Sequence, residues 1–395
     1  MPSRGRGYTR PMRAHEDAEP VATLPGGMSA ADFLRRHWQR RALLVRTAMP
    51  RFEGPLSRAR IFALAGRDDV ESRVVVRAGQ RYTLEHGPFS GATLRALPAR
   101  NWTLLVQGVN LVERACDALL RRFAFLPYAR LDDVMVSYAV PGGGVGPHFD
   151  SYDVFLLQGF GRRRWRYGRQ QDLALRPALP VKILQRFTPA HDDVLAPGDM
   201  LYLPPGHAHD GIALDECTTY SIGFRAPSHQ ELVEGFLDHL RDTLAVPGRY
   251  ADPRLTPARR PARLDPATLD RLAAPLARIR WSRADVGVFL GEFLSEPKQH
   301  VAFAPPVRAL PARAFTQRLA RDGIRLHAAT QLLYDARHFY VNGSALDVGA
   351  DVRPLLERLA DARALPAAAF ARAPAALASL LHDWHTHGYL ELGND

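Results

Sequence analysis

A histidine and an aspartate, His148 and Asp150, stand two residues apart in the stretch GGGVGPHFDSYD, residues 142–153. In an extended segment, side chains two residues apart point to the same face, so both can reach a common ion. The later turn PPGHAHDG offers a third ligand, and both His207 and His209 qualify on spacing. Two histidines and one carboxylate leave open positions on a metal. This set is typical of non-haem Fe(II) oxygenases, with zinc as the competing metal.

The stretch GRRRWRYG, residues 161–168, alternates as a strand would. Arg162, Arg164 and Arg166 would share one face, which we expect to be solvated. Arg163 would lie with the two aromatic residues on the inner face. A buried guanidinium needs an anionic partner, and no acidic residue adjoins it on that face. We expect either a bound carboxylate held by both arms of the guanidinium or a salt bridge to a distant aspartate.

A dicarboxylate ligand would use both features, because it can chelate the metal at one end and meet Arg163 at the other. The cosubstrate 2-oxoglutarate has this structure. The keto acid takes two metal positions and O₂ takes one, which are the three positions that a three-ligand site leaves open. The expected cofactors are therefore Fe(II), 2-oxoglutarate and O₂. The expected chemistry is decarboxylation of the keto acid coupled to abstraction of a substrate hydrogen.

Short strand-like runs surround these residues and predict an all-β barrel or jelly roll. From residue 132 to 227 the runs VMVSYAV, PHFDSYDVFLLQG, RRRWRYG, DVLAPGDMLYLPPG and TTYSIGFRA are separated by turn residues. A jelly roll brings separated strands together at its mouth, where the His-x-Asp pair and the Pro-Pro-Gly turn can meet. Before the barrel, Ser29 and Asp32 mark the start of a helix that a short strand follows.

Helical patterns dominate the rest of the chain, at residues 230–244, 266–279 and 282–294. From about residue 305 the pattern changes to a helix, a hairpin with Asn342-Gly343 at its turn and two Ala-rich helices. This order resembles a winged-helix module. Its helices carry few side chains suited to reading bases, so we expect a protein-contact or structural role and no direct nucleic-acid binding.

Composition narrows the class of protein without identifying a partner. The net charge of +11 suits an acidic partner such as nucleic acid or the ribosome, but a general bias toward Arg and Ala explains it equally well. Two cysteines, Cys116 and Cys217, exclude a disulfide framework and an all-Cys metal site. No apolar run predicts a membrane span, and residues 1–20 predict a disordered tail without a signal peptide. A cytoplasmic location is expected.

The motifs together closely resemble those of the bacterial JmjC-type ribosomal oxygenases. The matching stretches are VSYAVPGGGVGPHFDSYDVFLLQGFGRRRWRYG, LAPGDMLYLPPGHAHDG and YSIGFRAP, and FLRRHWQRRALLVR and GEFLSEPK extend the resemblance over most of the chain. The resemblance implies an α+β fold with a double-stranded β-helix (jelly-roll, cupin, JmjC) barrel in residues 21–227. It implies a helical dimerisation region in residues 228–300 and a winged-helix-like domain in residues 301–395. The implied protein is a homodimer that hydroxylates an arginine side chain of a large-subunit ribosomal protein.

The resemblance also implies roles for individual residues. His148, Asp150 and His209 would be the metal ligands, because the family pattern Pro-Pro-Gly-x-x-His-x-Gly matches residues 204–211. His207 then takes a position that is usually apolar or aromatic in the family.

The same resemblance assigns the cosubstrate pocket. Arg163 would bind the distal carboxylate of 2-oxoglutarate, and Ser137 would add a hydroxyl hydrogen bond. Ser221 is a weaker candidate that would line the barrel. Three residues that follow the His-x-Asp pair are candidates for shaping the substrate pocket: Tyr152, Asp153 and Gln158. For Asp153 the alternative is a turn-capping role.

Two alternative functions stay open. One is hydroxylation of a histidine in another ribosomal protein, which nothing in the motif spacing distinguishes from arginine hydroxylation. The other is a non-catalytic metal-binding cupin that acts as a binding module through its winged helix. A metal-binding barrel of that kind would not require Arg163 on the inner face.

Two further histidine-containing stretches are expected to carry no site. HDWHTHG, residues 382–388, is predicted to place surface histidines at a helix end. His191, Asp192 and Asp193 are predicted to form a turn with solvated charges before a strand.

Overall fold

The structure, a computed structural model, describes residues 22–79 and 81–393, so the tail expected at residues 1–20 lies outside the described residues. Its central feature is a pair of antiparallel sheets that face each other. Their strands are β1 Leu43–Val45, β2 Ser72–Ala78, β3 Arg81–His86, β4 Trp102–Val106, β5 Leu131–Ala139, β6 Val154–Gln158, β7 Arg163–Arg169, β8 His191–Leu195, β9 Met200–Leu203, β10 His207–Ala213 and β11 Cys217–Phe224. The larger sheet has the order β1-β9-β6-β11-β5-β4-β2-β3, and the smaller has the order β10-β7-β8.

Alternation along each strand gives the eight-stranded sheet two different faces. On β5, Val134, Val136 and Tyr138 point to the outer face, whereas Ser137 points to the inner face, which meets the three-stranded sheet. Leu156 of β6 packs on the inner face with aromatic residues of β7. The inner faces of the two sheets therefore enclose the barrel interior.

Helices cover the outer face and bury its aromatic side chains. Ser29 caps the first helix by accepting a hydrogen bond from the amide of Asp32 at 3.1 Å, as the sequence predicted. Phe33 of this helix packs edge-to-face on Tyr202 at a centroid distance of 4.8 Å. The helices of this layer are α1 Ala30–Arg36, α2 Arg58–Ala65, α3 Gly91–Arg95 and α4 Arg114–Arg121.

Three helices follow the barrel: α5 His229–Thr243, α6 Pro266–Ala273 and α7 Arg283–Ser295. The first and third pack through Phe236 and Phe289, whose rings lie 5.4 Å apart. The helix expected over residues 266–279 ends early at Ala273 and gives way to a single 3₁₀ turn. Pro275 explains the break, since proline has no N–H to donate and its ring clashes inside a helix.

The C-terminal unit has a separate hydrophobic core that includes Phe315, Leu356 and Trp384. The predicted hairpin turn is present, with positive φ angles of 49° at Asn342 and 86° at Gly343. The described part of the chain ends with a short strand after the predicted helices. The sequence did not predict this strand, because three residues are too few to show a strand pattern. The elements are α8 Ala312–Asp322, β12 Ile324–Leu326, β13 Leu332–Tyr334, β14 Phe339–Val341, β15 Ser344–Leu346, α9 Arg353–Ala362, β16 Ala364–Leu365, α10 Ala375–Thr386 and β17 Leu390–Leu392.

No helix among the described residues combines the length and the apolar character that a membrane-crossing helix needs.

Candidate active site

His148, Asp150 and His209 come together beside β10. One ligand atom from each side chain lies within 4.8 Å of the other two. Nε2 of His209 is 3.7 Å from Oδ2 of Asp150, and the two imidazole centroids are 4.2 Å apart. Within residues 22–79 and 81–393 this is the single group of three His, Cys, Asp or Glu side chains close enough to hold a metal ion.

The main chain holds the two histidines against each other. The amide of His148 donates to the carbonyl of His209 at 2.9 Å, and the amide of His209 donates to the carbonyl of His148 at 2.8 Å. The pair forms an isolated antiparallel bridge, and the next strand begins only at Val154. His148 and Asp150 therefore do not lie in the continuous strand that the sequence pattern predicted.

The glycine run before His148 allows this close approach. A side chain at Gly144 would place its Cβ 2.3 Å from the carbonyl oxygen of Gly211 on β10, closer than real Cβ atoms come to backbone. Gly146 has a φ of 83°, which residues with a side chain rarely adopt. The run thus lets the loop lie directly on β10 and present His148 to its partner.

Hydrogen bonds to backbone carbonyls fix the tautomer of both imidazoles. Nδ1 of His148 lies 2.8 Å from the carbonyl of Gly146, and Nδ1 of His209 lies 2.9 Å from the carbonyl of His207. Because a carbonyl only accepts, the hydrogen sits on Nδ1, and Nε2 keeps its lone pair for a ligand. Burial, followed by the charge of His148, lowers the pKa of His209 to about 4. Two imidazoles that present Nε2 and one carboxylate form a donor set that fits a divalent cation.

The structure separates the two histidines that spacing left ambiguous. The backbone bridge brings His209 to His148, whereas His207 stands two residues earlier on β10, outside the metal-ligand group. His207 is buried, and its Nδ1 has no hydrogen-bond partner among the described residues. The geometry therefore favours His209 as the third ligand.

Arg163 is buried on the inner face of β7, as the strand alternation predicted. Its Nε and Nη2 atoms have no hydrogen-bond partner in the part of the chain that the structure describes, and no carboxylate there lies within salt-bridge distance. The alternative of a salt bridge to a distant aspartate is therefore wrong within these residues. Two unpaired, buried donors of a planar cation fit the carboxylate of a ligand.

Arg163 and His209, one member of the metal-ligand group, lie on one pair of strands, β7 and β10. Arg163 stands opposite Ala213, and His209 stands opposite Tyr167, so all four share the inner face. Ala213 lies four positions after His209 on β10, which is roughly 13 Å between their backbones at the usual strand rise. A small dicarboxylate would thus find a partner for each of its ends on the same strand pair.

Trp165 lies between these two ends, and sequence reasoning assigned it no role. Its ring is 5.9 Å from the ring of His209 and 5.8 Å from the guanidinium carbon of Arg163. A Cβ at Gly211, which stands opposite Trp165, would fall 2.7 Å from the indole. The glycine of the Pro-Pro-Gly-x-x-His-x-Gly pattern therefore makes space for this ring. The only available signal was the strand alternation, which placed Trp165 inside.

Polar side chains form a row on the inner face of the larger sheet. Ser137 donates to the carbonyl of Thr219 at 3.4 Å, and Thr219 Oγ1 donates to Oε1 of Gln158 at 3.1 Å. Ser221 continues the same inner face of β11 and is almost buried. Ser137 is thus buried near the cluster in which Ala213 packs, at the Arg163 end of the barrel.

Asp153 does not face the pocket, contrary to expectation. It is fully buried on the outer side of the sheet, where Tyr202 donates to it at 2.6 Å and Nε2 of Gln39 donates at 2.9 Å. Arg130 lies 3.7 Å away. Burial raises the pKa of Asp153, although these partners oppose the change. Its role is to join the N-terminal layer to the barrel.

Tyr152, two residues after Asp150, has 42% of its surface exposed, and its ring lies 3.9 Å from where a Cβ of Gly223 would stand; we call this exposed region beside the metal-ligand group the entrance. Burial of its hydroxyl, followed by the negative charges of Asp150, Asp133 and Asp132, raises the pKa of Tyr152. The entrance therefore carries a concentration of carboxylates in a protein whose net charge is +11.

The histidines of HDWHTHG differ in part from the surface position expected for them. His385 is buried and stacks on Phe315 at 5.2 Å, so the surface expectation is wrong for this residue. His382 and His387 each contact a backbone carbonyl. These contacts give all three imidazoles structural partners.

The segment expected as a turn at His191 is the start of strand β8. Asp192 pairs with Arg164 on the exposed face of the three-stranded sheet, and His191 stacks on Tyr167. The short, charged strand lacks the apolar alternation that would have identified it.

Two family models match the chain. The model for the JmjC domain covers residues 118–232, and the model for the ROXA-like winged helix covers residues 278–391. The barrel with its candidate metal group and the C-terminal hairpin unit thus define a JmjC protein with a ROXA-like winged helix. The predicted fold class is confirmed.

Bacterial ribosomal oxygenases are similar to this chain over most of its length. The ribosomal protein uL16 3-hydroxylase of Escherichia coli (strain K12) is 36% identical over 343 residues, which are 86% of this chain and 90% of that protein. The X-ray structure of Escherichia coli YcfD has a TM-score of 0.81 and 34% identity, and the match covers 92% of this chain and 98% of that one. This chain belongs to the ribosomal oxygenase family.

Two further relatives show the range of the family. A structure of Escherichia coli YcfD in complex with cobalt and 2-oxoglutarate has a TM-score of 0.79 and 34% identity, over 92% of this chain and 98% of that one. Human ribosomal oxygenase 1 is 29% identical over 195 residues, 46% of this chain and 30% of that protein. The bacterial similarity therefore spans both units, whereas the human one spans about half of this chain.

Proposed function

We propose that this chain is an Fe(II)- and 2-oxoglutarate-dependent oxygenase that hydroxylates an arginine side chain of a large-subunit ribosomal protein. The observation that carries the proposal is the metal-ligand group together with the unpaired, buried guanidinium of Arg163, which shares the inner face of the β7–β10 pair with the ligand-group member His209. A metal-binding barrel without a keto acid has no use for that cation. The names of the relatives support the substrate class and the cosubstrate.

The proposal gives each residue a role. His148, Asp150 and His209 hold Fe(II) through two Nε2 atoms and a carboxylate, and leave the rest of its positions open. Arg163 holds the distal carboxylate of 2-oxoglutarate, with Ser137 as a further donor. Bound Fe(II) with 2-oxoglutarate and O₂ supplies the oxidising power for hydroxylation, and the keto acid is converted to succinate and CO₂.

The entrance supports arginine as the substrate residue. Oδ1 of Asp133 lies 3.4 Å from the point where a Cβ of Gly223 would stand, and the ring of Tyr152 lies 3.9 Å from the same point. A carboxylate beside an aromatic ring suits a guanidinium, which pairs with one and stacks on the other. A histidine substrate, neutral for most of its time at pH 7, would draw less on this charge.

The test is incubation of the full chain with Fe(II), ascorbate, 2-oxoglutarate and the ribosomal proteins of cells that lack this gene. We expect succinate to form and one protein to gain the mass of a single oxygen atom, which fragmentation places on an arginine side chain. An oxygen on a histidine would contradict the arginine assignment. Absence of both succinate and the added oxygen would favour the non-catalytic cupin.

We also propose a division into a catalytic domain in residues 21–227, a helical region in residues 228–300 and a winged-helix-like domain in residues 301–395. In this proposal the helical region contacts its counterpart in a second copy of the chain and forms a homodimer interface. The support is a set of exposed apolar side chains on and near α5 and α6, which a second copy would bury. Sedimentation equilibrium should give twice the monomer mass, and a monomer mass would contradict the interface. A ribosomal protein substrate also supports a cytoplasmic location. The exposed set comprises Val233, Leu237, Leu269, Leu272, Leu276 and Trp281.

A further inference from the structure

Lysine is almost absent from this chain, and one of its two lysines lies at the pocket entrance. Of 52 basic residues only Lys182 and Lys298 are lysines. Lys182 is exposed, whereas Lys298 keeps only 25% of its side chain exposed. Nζ of Lys298 lies 3.1 Å from Oδ1 of Asp132 and 3.0 Å from Oδ2 of Asp133. A compact ammonium thus bridges two adjacent carboxylates, a task that its three rotatable donors suit.

Asp133 is the nearly buried member of this group and lies on the inner face of β5. Its Oδ2 accepts from Lys298 and, at 2.6 Å, from Nε2 of Gln107. With Oδ2 held by two donors, Oδ1 is the oxygen that lies next to Gly223, on the side where Tyr152 stands. Lys298 and Gln107 therefore determine which oxygen of Asp133 is directed to the entrance.

Lys298 reaches the entrance from a segment that joins three parts of the molecule. We call residues 294–301 the strap. Arg225, at the end of the barrel, donates to the carbonyls of Leu294 at 2.8 Å and Glu296 at 3.0 Å. Ser295 accepts from the amide of Gly343 in the C-terminal hairpin at 3.1 Å. The strap therefore ties α7 to the barrel on one side and to the winged-helix hairpin on the other.

The charges in the group explain why the ammonium is needed. Burial lowers the pKa of Lys298, but the charges of Asp133 and Asp132 outweigh it and raise the pKa, so the ammonium stays charged. Without that cation, Asp132 would keep Arg225, whose Nε lies 3.7 Å from its Oδ1, whereas the nearly buried Asp133 would keep only the amide donor of Gln107. A buried carboxylate with so few partners is costly, so the Asp133 side chain should turn away from its present position.

We propose that Lys298 is a positioning residue for substrate recognition. It acts through Asp133, whose Oδ1 it orients toward the cationic side chain of the substrate. Recognition of arginine thereby depends on the strap and on the C-terminal hairpin that the strap contacts. This inference rests on the proposed arginine hydroxylation and assigns a residue outside the barrel to it.

The test compares Lys298→Met with Lys182→Met in the full-length protein, a matched pair that makes the same chemical change at the two lysines. For a ribosomal protein peptide containing the target arginine, Lys298→Met should raise KM about ten-fold, as expected when a charged hydrogen bond to the orienting group is lost. The KM for 2-oxoglutarate should not change, because Arg163 lies at the other end of the barrel. Lys182→Met should leave both values unchanged.

Two further variants separate positioning from folding. Lys298→Arg keeps the charge and should restore most of the affinity for the peptide. Lys298→Gln removes the charge but keeps a polar side chain at this carboxylate-lined position, and it should show the same KM split if Lys298→Met folds poorly. A parallel rise of both KM values, or a peptide KM equal to that of the wild type in Lys298→Gln, would overturn the proposal.

The outcomes also keep this inference apart from the proposed function. If the wild-type protein does not hydroxylate the arginine peptide, the arginine assignment fails, whatever Lys298 does. If the wild type hydroxylates it and the Lys298 variants match the wild type, only the positioning role fails.

Discussion

Two buried charged side chains, Asp153 and Arg163, lie on opposite faces of the barrel wall and differ in their partners. Asp153, on the outer side, receives hydrogen bonds from Tyr202 and Gln39 and lies near Arg130. Arg163, on the inner side, has two donor atoms without a partner in the described part of the chain. Burial alone therefore does not mark a functional charge. A buried charged group whose hydrogen-bond donors have no partner does indicate a ligand site, since folded proteins rarely leave such donors unpaired.

The two histidines of β10 give the largest expected effect and test how far that criterion extends. We expect His209→Gln to lower succinate formation by roughly 1,000-fold or more, since loss of a ligand exceeds the 10- to 100-fold effect of an outer-shell partner. His207→Gln should stay within a few-fold of the wild type, although His207 also has an unpaired buried nitrogen. The measurement is 2-oxoglutarate turnover with bound iron determined in parallel. Equal losses in both variants would show that His207 takes part in metal binding.

Arg163 gives the second-largest expected effect and tests directly whether its unpaired buried charge, unlike that of Asp153, serves a ligand. Arg163→Met should raise the KM for 2-oxoglutarate about 100-fold, the equivalent of losing a charge-assisted bidentate contact. Without ligand, the same variant should be at least as stable as the wild type, because it removes an uncompensated buried charge. Arg164→Met is the matched control, since Arg164 stands next in the strand but pairs with Asp192 on the exposed face. Calorimetry and steady-state kinetics measure the two effects, and a ligand-free Arg163→Met that melts well below the wild type would break the comparison.

Asp153 gives the smallest effect, and it should appear in stability alone. Asp153→Asn places an amide nitrogen against the donors of Gln39 and Tyr202, so the free energy of unfolding should fall by about 1–3 kcal/mol. The KM for 2-oxoglutarate should not change. Urea denaturation followed by tryptophan fluorescence gives the first value. A change in KM as large as that of Arg163→Met would show that the outer side also shapes the pocket.

Local patterns predicted the parts of the site whose geometry is set within a few residues. Strand alternation placed Arg163 inside, since the period of two needs only its own strand. The Asn342-Gly343 turn was predicted for a similar reason, because its positive φ angles favour those residue types.

Features set by distant contacts were not predicted from the residues alone. The choice between His207 and His209 depends on which of them bridges to His148, a pairing between two segments far apart in sequence. The spacing of the motifs does not determine that register, so the choice of His209 came from the family resemblance. Asp153 was misplaced for the same reason, because its direction follows from partners in the turn after α1 and on β9 and not from the motif beside it. In the sequence, Lys298 is only a rare lysine at the end of GEFLSEPK. Its contact with Asp133 is made across the fold and is seen only in the structure.

The reciprocal backbone hydrogen bonds between His148 and His209 have a consequence for metal exchange. Many small metal-binding domains are built around the ion, and stripping it unfolds them. Here the peptide groups and the two carbonyl-bound Nδ1 atoms already hold both imidazoles in place. A chelator should therefore extract the ion from a protein that keeps its shape and melts close to its usual temperature. The emptied protein should then take up a divalent ion such as iron, cobalt or zinc without refolding.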